Sequence, residues 1–287
     1  MTQRGFFTIA QGAEYQRLAY ALALSLKCSQ PDGYNKLSIG VTSDERAQVP
    51  ARYCEVFDQV VEIPWRDAAQ HSTWKLENEW KAIHMTPYDE TVKLDADMIF
   101  PEDISSWWHH CSQSQGVFAT APRTYRDHII TSDACRKTFT DSNLPNIYTA
   151  FFFFKKTQAN FELFALAEDI FNNWQRYFYE FLAPESRPDH VSTDVVFALA
   201  AKILDYVSLD VSGNTQVPTF VHMKTELQNW PQGSLTNNDW TRMIPTYFSH
   251  DCKLKIGNFR QTLPFHYQVK TFITDRMISL MEKKLGI

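Results

Sequence analysis

The chain has 287 residues, of which 44% are hydrophobic and 21% are charged. This length suits one large α/β domain, which buries roughly 70–75% of the surface that its unfolded chain exposes. The formal net charge of −5 argues against a large nucleic-acid-binding surface, which usually needs a basic excess. It does not exclude a local basic groove.

The cysteines and the N-terminus indicate a compartment. The chain has five cysteines, which are Cys28, Cys54, Cys111, Cys135 and Cys252. No two of them have the C-x-x-C spacing. Their odd number and scatter favour reduced thiols. The chain enters an apolar strand at once, without the apolar region of a signal peptide, and has no run of about 18 apolar residues. We therefore expect a cytoplasmic protein without a membrane span.

Strands and helices alternate through the first hundred residues. Strands are predicted at 5–10, 36–45, 59–64 and 90–100, and helices at 13–28 and 72–85. This alternation predicts an α/β fold in which a mostly parallel central sheet is flanked by helices, with right-handed crossovers.

The pattern is less regular after residue 100. Helices are predicted at 101–111, 159–182, 192–204 and 270–286, and strands at 116–122, 146–156, 206–211 and 219–224. Residues 123–146 are expected to form a loop over the site, and 226–268 to form polar turns. No repeat or linker interrupts the chain, so we expect one domain over 1–287, with a nucleotide-binding half (1–100) and an acceptor-binding half (101–287).

Two aspartates, Asp95 and Asp97, end the apolar stretch "TVKLDADMIF" at 91–100. Residues two apart share one face of a strand, about 7 Å from each other, and α/β sheets bind ligands beyond the carboxyl ends of their strands. Two carboxylates placed so repel each other unless a cation separates them, and a hard divalent cation accepts oxygen ligands. Ala96 between them is small enough for a ligand to approach the backbone. A bare D-x-D is also common in surface turns.

The surrounding stretch "WKAIHMTPYDETVKLDADMIFPEDISSWW" closely resembles the centre of GT-A glycosyltransferases, specifically the glycogenin-like family 8. The resemblance implies a GT-A (Rossmann-like) nucleotide-diphospho-sugar transferase fold. It also implies a divalent metal, Mn²⁺ or Mg²⁺, that is held by Asp95 and Asp97 and clamps the diphosphate of a nucleotide sugar, expected to be a UDP-sugar.

Other segments match the family in the same order. The opening strand and helix and the end of the second strand imply donor contacts from Thr8, Ala10, Tyr15 and Asp44, with Tyr15 stacked on the base. Lys81 and Ala96 are implied as further donor-binding residues.

Later segments supply the remaining implied roles. "FVHMK" at 220–224 resembles a metal- and phosphate-binding segment, which implies His222 as third metal ligand and Lys224 on a phosphate; His250 is the alternative ligand. Asp194 matches a carboxylate of the sugar or acceptor site. The chain departs from the family at Tyr148–Ala150, where Asn-Ser-Gly would stand, and at Val195, where a Gln would stand.

The implied reaction moves a sugar from the nucleotide donor to a hydroxyl group, with Asp194 and Lys81 as catalytic residues and with retention of the anomeric configuration. Because the chain also resembles bacteriophage DNA-modifying enzymes and carries basic, aromatic segments at 123–128, 136–139 and 253–261, a 5-hydroxymethylated cytosine in phage DNA is one expected acceptor. A phage-encoded enzyme would work in the host cytoplasm. A cell-surface oligosaccharide, lipid or protein precursor stays open as acceptor, as do a nucleotidyltransferase and a non-catalytic nucleotide-sugar-binding protein.

Overall fold

The structure, a computed structural model, describes residues 2–67, 69, 75–120, 122–126, 136–206, 217–224, 227–228, 230 and 239–287. Its centre is a six-stranded sheet of β1 (Arg4–Ile9), β2 (Leu37–Val41), β3 (Gln59–Glu62), β4 (Glu90–Leu94), β6 (Gly116–Ala119) and β7 (Tyr148–Lys155). The spatial order is β3-β2-β1-β4-β7-β6, and β7 alone runs against the others. The expected mostly parallel α/β sheet is confirmed.

The aromatic run of β7 shows how the sheet is buried on both faces. Phe151 and Phe153 pack into one apolar cluster, and Phe152 and Phe154 pack into another. Successive side chains of a strand point to opposite faces, so a strand covered on both faces is apolar throughout. The first cluster includes α1 (Ala13–Ser29), and the second includes α7 (Gln158–Asn172) and α9 (Thr193–Ile203).

Two small sheets complete the described strands. One contains β5 (Met98–Ile99), β12 (Phe265–His266) and β8 (Val221–His222), and the other contains β9 (Thr246–Phe248), β10 (Leu254–Ile256) and β11 (Phe259–Arg260). The prediction of one continuous strand over 90–100 was therefore wrong. The backbone turns at 95–97 and then pairs with β12, so this segment leaves the central sheet.

The remaining helices are α2 (Ser43–Arg46), α3 (Ala51–Cys54), α4 (Ala82–Met85), α5 (Ser106–Cys111), α6 (Lys137–Asp141), α8 (Trp174–Phe181) and α10 (Asp275–Leu285), with 3₁₀ turns at Lys75–Lys81, Pro184–Ser186, Trp240–Arg242 and Lys270–Phe272. None of the described helices is both long and apolar enough to cross a bilayer.

Several predicted boundaries differ from the structure. The helix expected over 159–182 is broken at Asn173, whose backbone leaves the helical region (φ −127°, ψ 28°), so α7 and α8 are separate. The expected helix at 72–85 is described from residue 75 and is a 3₁₀ turn that passes into α4. The expected loop at 123–146 contains α6. The strand expected at 206–211 lies, apart from residue 206, outside the described residues.

Candidate metal centre and adjoining clefts

Three potential metal ligands converge where β4 ends. Asp95 and Asp97 lie in the turn after β4, and the antiparallel pairing of β5 with β12 brings His266 opposite Met98. His266 Nε2 lies 3.0 Å from Asp97 Oδ1 and 3.8 Å from Asp95 Oδ2. One ligand atom from each residue falls within 4.8 Å of the others. The turn thus places the two aspartates side by side, and the tertiary pairing of β5 with β12 adds His266.

The cluster fits a divalent cation in both size and chemistry. On an ion with bonds of about 2.1 Å, two ligand atoms lie about 3 Å apart when they are at right angles and about 4 Å apart when they are opposite. The distances of 3.0 and 3.8 Å from His266 Nε2 to the two aspartates fall in this range. Two carboxylates and one imidazole form a mixed donor set: the carboxylates suit Mg²⁺ and Mn²⁺, and the imidazole favours a transition metal such as Mn²⁺ over Mg²⁺. Asp95 and Asp97 keep 26% and 20% of their side-chain surface exposed, so an ion and a ligand can reach them.

The charges of the cluster compensate each other. Burial alone would lower the pKa of His266, but the hydrogen bond and the negative charge of Asp97 outweigh burial and raise it. Burial alone would raise the pKa of Asp97, but His266 holds it below its usual value, and the Lys270 ammonium contributes in the same direction. The proton between His266 Nε2 and Asp97 occupies the place of a cation, and it would have to leave before the imidazole could bind a metal.

A buried lysine adjoins the cluster. Lys93 on β4 is 4% exposed, and its Nζ contacts Glu79, lies 3.1 Å from Asp95 Oδ1 and lies 3.3 Å from the Thr149 carbonyl oxygen. Burial would lower the pKa of Lys93, but the carboxylates of Glu79 and Asp95 outweigh burial and raise it, so the ammonium stays charged. Sequence reasoning passed over Lys93, although a lysine inside an otherwise apolar strand is itself a signal of a buried partner.

His222, the histidine expected as third metal ligand, lies beside this cluster. It is paired with His266 between β8 and β12, and the two rings stack with centroids 4.6 Å apart and planes at 17°. Burial lowers the pKa of His222 well below its usual value, and the nearby positive charges of His266 and Lys224 lower it further. Within the described part of the chain, the third converging ligand is His266. The alternative ligand, His250, is exposed in the turn before β10.

A cleft of about 410 Å³ opens at the carboxyl ends of β1, β2 and β3, and Asp44, Trp65 and Arg66 are among its lining residues. Thr8 and Ala10 are buried at the end of β1, at 1% and 0% exposure. Asp44 is the one expected donor contact that lines this cleft directly.

Two other expected donor contacts are already engaged. Lys81, expected to bind the donor and to act in catalysis, is 1% exposed and donates to the Arg66 carbonyl oxygen at 2.5 Å, so its ammonium is already engaged at the wall of the cleft. Tyr15 is half-buried, and Lys270 Nζ lies 4.2 Å from the centre of its ring. Lys270 was not anticipated from the sequence.

A second cleft of about 650 Å³ lies next to the histidine pair, and Asp194, His222 and Lys224 all line it. Asp194 Oδ1 accepts hydrogen bonds from the backbone N–H and the hydroxyl of Thr149, both at 2.8 Å. Its Oδ2 accepts one from Arg136 at 2.8 Å. Lys224 is exposed at the rim. The structure thus brings three of the expected site residues to one cavity, with both oxygens of Asp194 engaged.

Comparison with known proteins gives distant likenesses. No family model matches the sequence, and no curated protein matches it. Among solved structures, apo GlyE, a glycosyltransferase of Streptococcus pneumoniae, is 10% identical with a TM-score of 0.40, over 73% of this chain and 44% of that one. Mouse xyloside xylosyltransferase 1 is 10% identical with a TM-score of 0.45, over 72% and 83% of the two chains. A second GlyE structure is 9% identical with a TM-score of 0.46, over 100% and 64%.

All three TM-scores lie below 0.5. The chain spans less than half the length of the first GlyE structure.

Proposed function

We propose that the chain is a metal-dependent glycosyltransferase of the GT-A type, which transfers a sugar from a nucleotide-diphosphate donor to a hydroxyl group. The observation that carries this proposal is the convergence of Asp95, Asp97 and His266 at the carboxyl edge of the sheet, with one cleft at the ends of β1–β3 and another beside the histidine pair. Open α/β sheets bind ligands along this edge. The first cleft, the metal centre and the second cleft lie in the order of the nucleoside, the diphosphate and the sugar of a nucleotide-sugar donor.

The metal centre is assigned to Asp95, Asp97 and His266 as ligands. A bound Mn²⁺ or Mg²⁺ would supply Lewis-acid stabilisation of the negative charge that grows on the leaving diphosphate. Lys270 adds a cation next to Asp97 from the protein itself. Asp44 and the cleft beside it bind the nucleoside, for which a UDP-sugar is proposed, and Tyr15 and Trp65 are its candidate stacking partners. Thr8, Ala10, Ala96 and Lys81 shape the walls of the donor site.

The second cleft is proposed to hold the sugar and the acceptor. Asp194 faces it from the start of α9, where its negative charge can stabilise the cationic character that develops on the sugar ring. Three hydrogen bonds fix its orientation, so it acts through position and charge. Lys224 at the rim is the proposed contact for a phosphate. Retention of the anomeric configuration is part of the proposal.

The proposed acceptor is a 5-hydroxymethylated cytosine of DNA. The small sheet of β9, β10 and β11 supports it, because Tyr247, Lys255 and Arg260 form one cross-strand row on its exposed side. Tyr247 is 59% exposed. Exposed rings and cations on one surface suit the bases and phosphates of an unpaired strand. An oligosaccharide, lipid or protein hydroxyl is the alternative acceptor.

The proposal is tested by incubating the protein with UDP-sugars and Mn²⁺ and measuring the release of UDP. The reaction is run with hydroxymethylated DNA, with unmodified DNA and without an acceptor, and Asp97→Asn serves as the inactive control. We expect UDP release that needs Mn²⁺ and that is raised by hydroxymethylated DNA but not by unmodified DNA. Full release in EDTA would contradict the metal-dependent mechanism, and donor binding without any cleavage would point to a non-catalytic sugar-binding protein.

A further inference from the structure

The ammonium group of Lys93 has three hydrogen-bond acceptors within the protein, and its side chain is almost fully buried. They are Glu79 Oε2, Asp95 Oδ1 and the Thr149 carbonyl oxygen. A lysine ammonium has three N–H donors, so its capacity is filled. Lys93 and Glu79 keep 4% and 7% of their side-chain surface exposed, so neither can turn towards water without opening the core.

This arrangement gives the two carboxylate oxygens of Asp95 different partners. Oδ1 is held by Lys93 at 3.1 Å, while Oδ2 faces His266 Nε2 at 3.8 Å. Lys93 and Asp95 lie two residues apart where β4 ends, and Glu79 reaches the same point from the 3₁₀ turn at Lys75–Lys81. Asp95 is therefore fixed by a buried pair that belongs to a strand and a helix of the scaffold.

We infer that Lys93, anchored by Glu79, is a positioning residue that reserves Asp95 Oδ1 and so makes Asp95 a monodentate ligand of the divalent cation through Oδ2. This inference rests on the proposed metal centre. Lys93 and Glu79 lie outside the D-x-D pattern, and their position predicts that Asp95 binds the cation through one oxygen. Partners that orient a ligand affect metal affinity without touching the metal.

Charge and position can be separated because Glu79 and Lys93 are oppositely charged. The double variant Glu79→Gln/Lys93→Met removes one negative and one positive charge, so the net charge around the metal centre does not change. Removing both partners avoids leaving either charge buried without its partner, which is the costly case, so the variant is expected to fold. If Lys93 acted only through the net charge around the metal centre, the metal affinity of this double variant would be unaltered.

The matched control is Arg4→Met/Glu90→Gln. Arg4 and Glu90 also form an ion pair, at 2.9 Å, and Glu90 lies on β4. Glu90 begins the strand, whereas Asp95 follows its end, so this pair is remote from the metal centre along the strand. Its removal likewise preserves net charge. Thermal unfolding shows whether each variant is folded before it is compared with the unsubstituted protein.

The experiment is a titration of each protein with MnCl₂, in which electron paramagnetic resonance measures the free Mn²⁺. We expect Glu79→Gln/Lys93→Met to bind Mn²⁺ about tenfold more weakly or worse, and the control variant to match the unsubstituted protein. A folded double variant that binds Mn²⁺ as tightly as the unsubstituted protein would overturn the inference. An unsubstituted protein that binds no Mn²⁺ would overturn the proposed metal centre itself, which is a different outcome.

A second measurement needs no variant and decides the matter if the double variant does not fold. In crystals of the unsubstituted protein soaked with MnCl₂, Asp95 should bind Mn²⁺ through Oδ2 alone while Lys93 stays on Oδ1. Bidentate binding by Asp95, with Lys93 displaced from Oδ1, would overturn the inference.

Discussion

Arg136 joins the second cleft to the core, and its loss should weaken the fold measurably. The guanidinium donates to Asp194 at 2.8 Å, to Asn146 Oδ1 at 2.5 Å and to the Ile147 carbonyl oxygen at 2.8 Å. Its carbon Cζ also lies 3.8 Å from the centre of the Phe139 ring and 3.9 Å from that of Tyr148. In Arg136→Met the apolar contacts are largely kept and the charge and donors are lost.

The expected loss follows from the burial of the ion pair. Arg136 and Asp194 keep 11% and 25% of their side-chain surface exposed. Removing one partner of a buried pair costs about 3–5 kcal/mol. Asp194 keeps its hydrogen bonds from Thr149 and some contact with solvent, so we expect the low end, about 3 kcal/mol.

The assay is equilibrium unfolding in urea, with a cycle of Arg136→Met, Asp194→Asn and the double variant. A coupling energy of about 1.5–3 kcal/mol is expected between the two side chains. Arg176→Met is the matched control, because its pair with Glu180 is 3.7 Å long and its side chain is 78% exposed. The control should change stability by less than about 0.5 kcal/mol. A loss below about 1 kcal/mol for Arg136→Met would refute the reasoning, because the buried pair would then contribute no more than a surface pair.

Three further outcomes are expected. His266→Ala should weaken Mn²⁺ binding in calorimetry by more than about tenfold, whereas His222→Ala should weaken it much less; the reverse order would return the third ligand to His222. Gly5→Ala should lower stability by about 1–3 kcal/mol in urea unfolding, because a Cβ there would lie 2.4 Å from the Tyr88 ring; an unchanged midpoint would contradict the packing. Glu102 is partly buried, which raises its pKa, but its two cationic partners outweigh burial and lower it. Since the folded-state pKa lies below the unfolded one, its stabilisation is present at neutral pH and is lost as the pH falls below the usual glutamate pKa of about 4.3. Glu102→Gln should therefore be less stable at pH 7, with the difference shrinking by pH 3; a constant difference would contradict this.

Local patterns in the sequence were sufficient for the sheet and for two residues of the proposed metal centre. Strand and helix periods identified the parallel sheet, and the D-x-D after a buried strand identified Asp95 and Asp97. The chain leaves the central sheet at Asp95 and Asp97, and this could not be predicted. It depends on the pairing of β5 with β12, which joins segments more than 160 residues apart in sequence.

His266 was missed for the same physical reason. The strand that carries it, β12, has two residues, too few to show the alternation that marks a strand. It lies within a segment that looks like polar turns. His222 follows a recognisable apolar run and was chosen instead, although the two rings prove to be stacked neighbours. The contacts of Glu79 with Lys93 are likewise tertiary, and sequence spacing alone carries no sign of them.

The central claim is that a divalent cation at Asp95, Asp97 and His266 grips a nucleoside diphosphate. Calorimetric titration with UDP, with Mn²⁺ present and with EDTA in its place, tests it most directly, and Asp97→Asn is the matched variant. The account predicts UDP binding that needs Mn²⁺ and is at least about tenfold weaker in EDTA and in Asp97→Asn. Equal binding of UDP in all three conditions would contradict it.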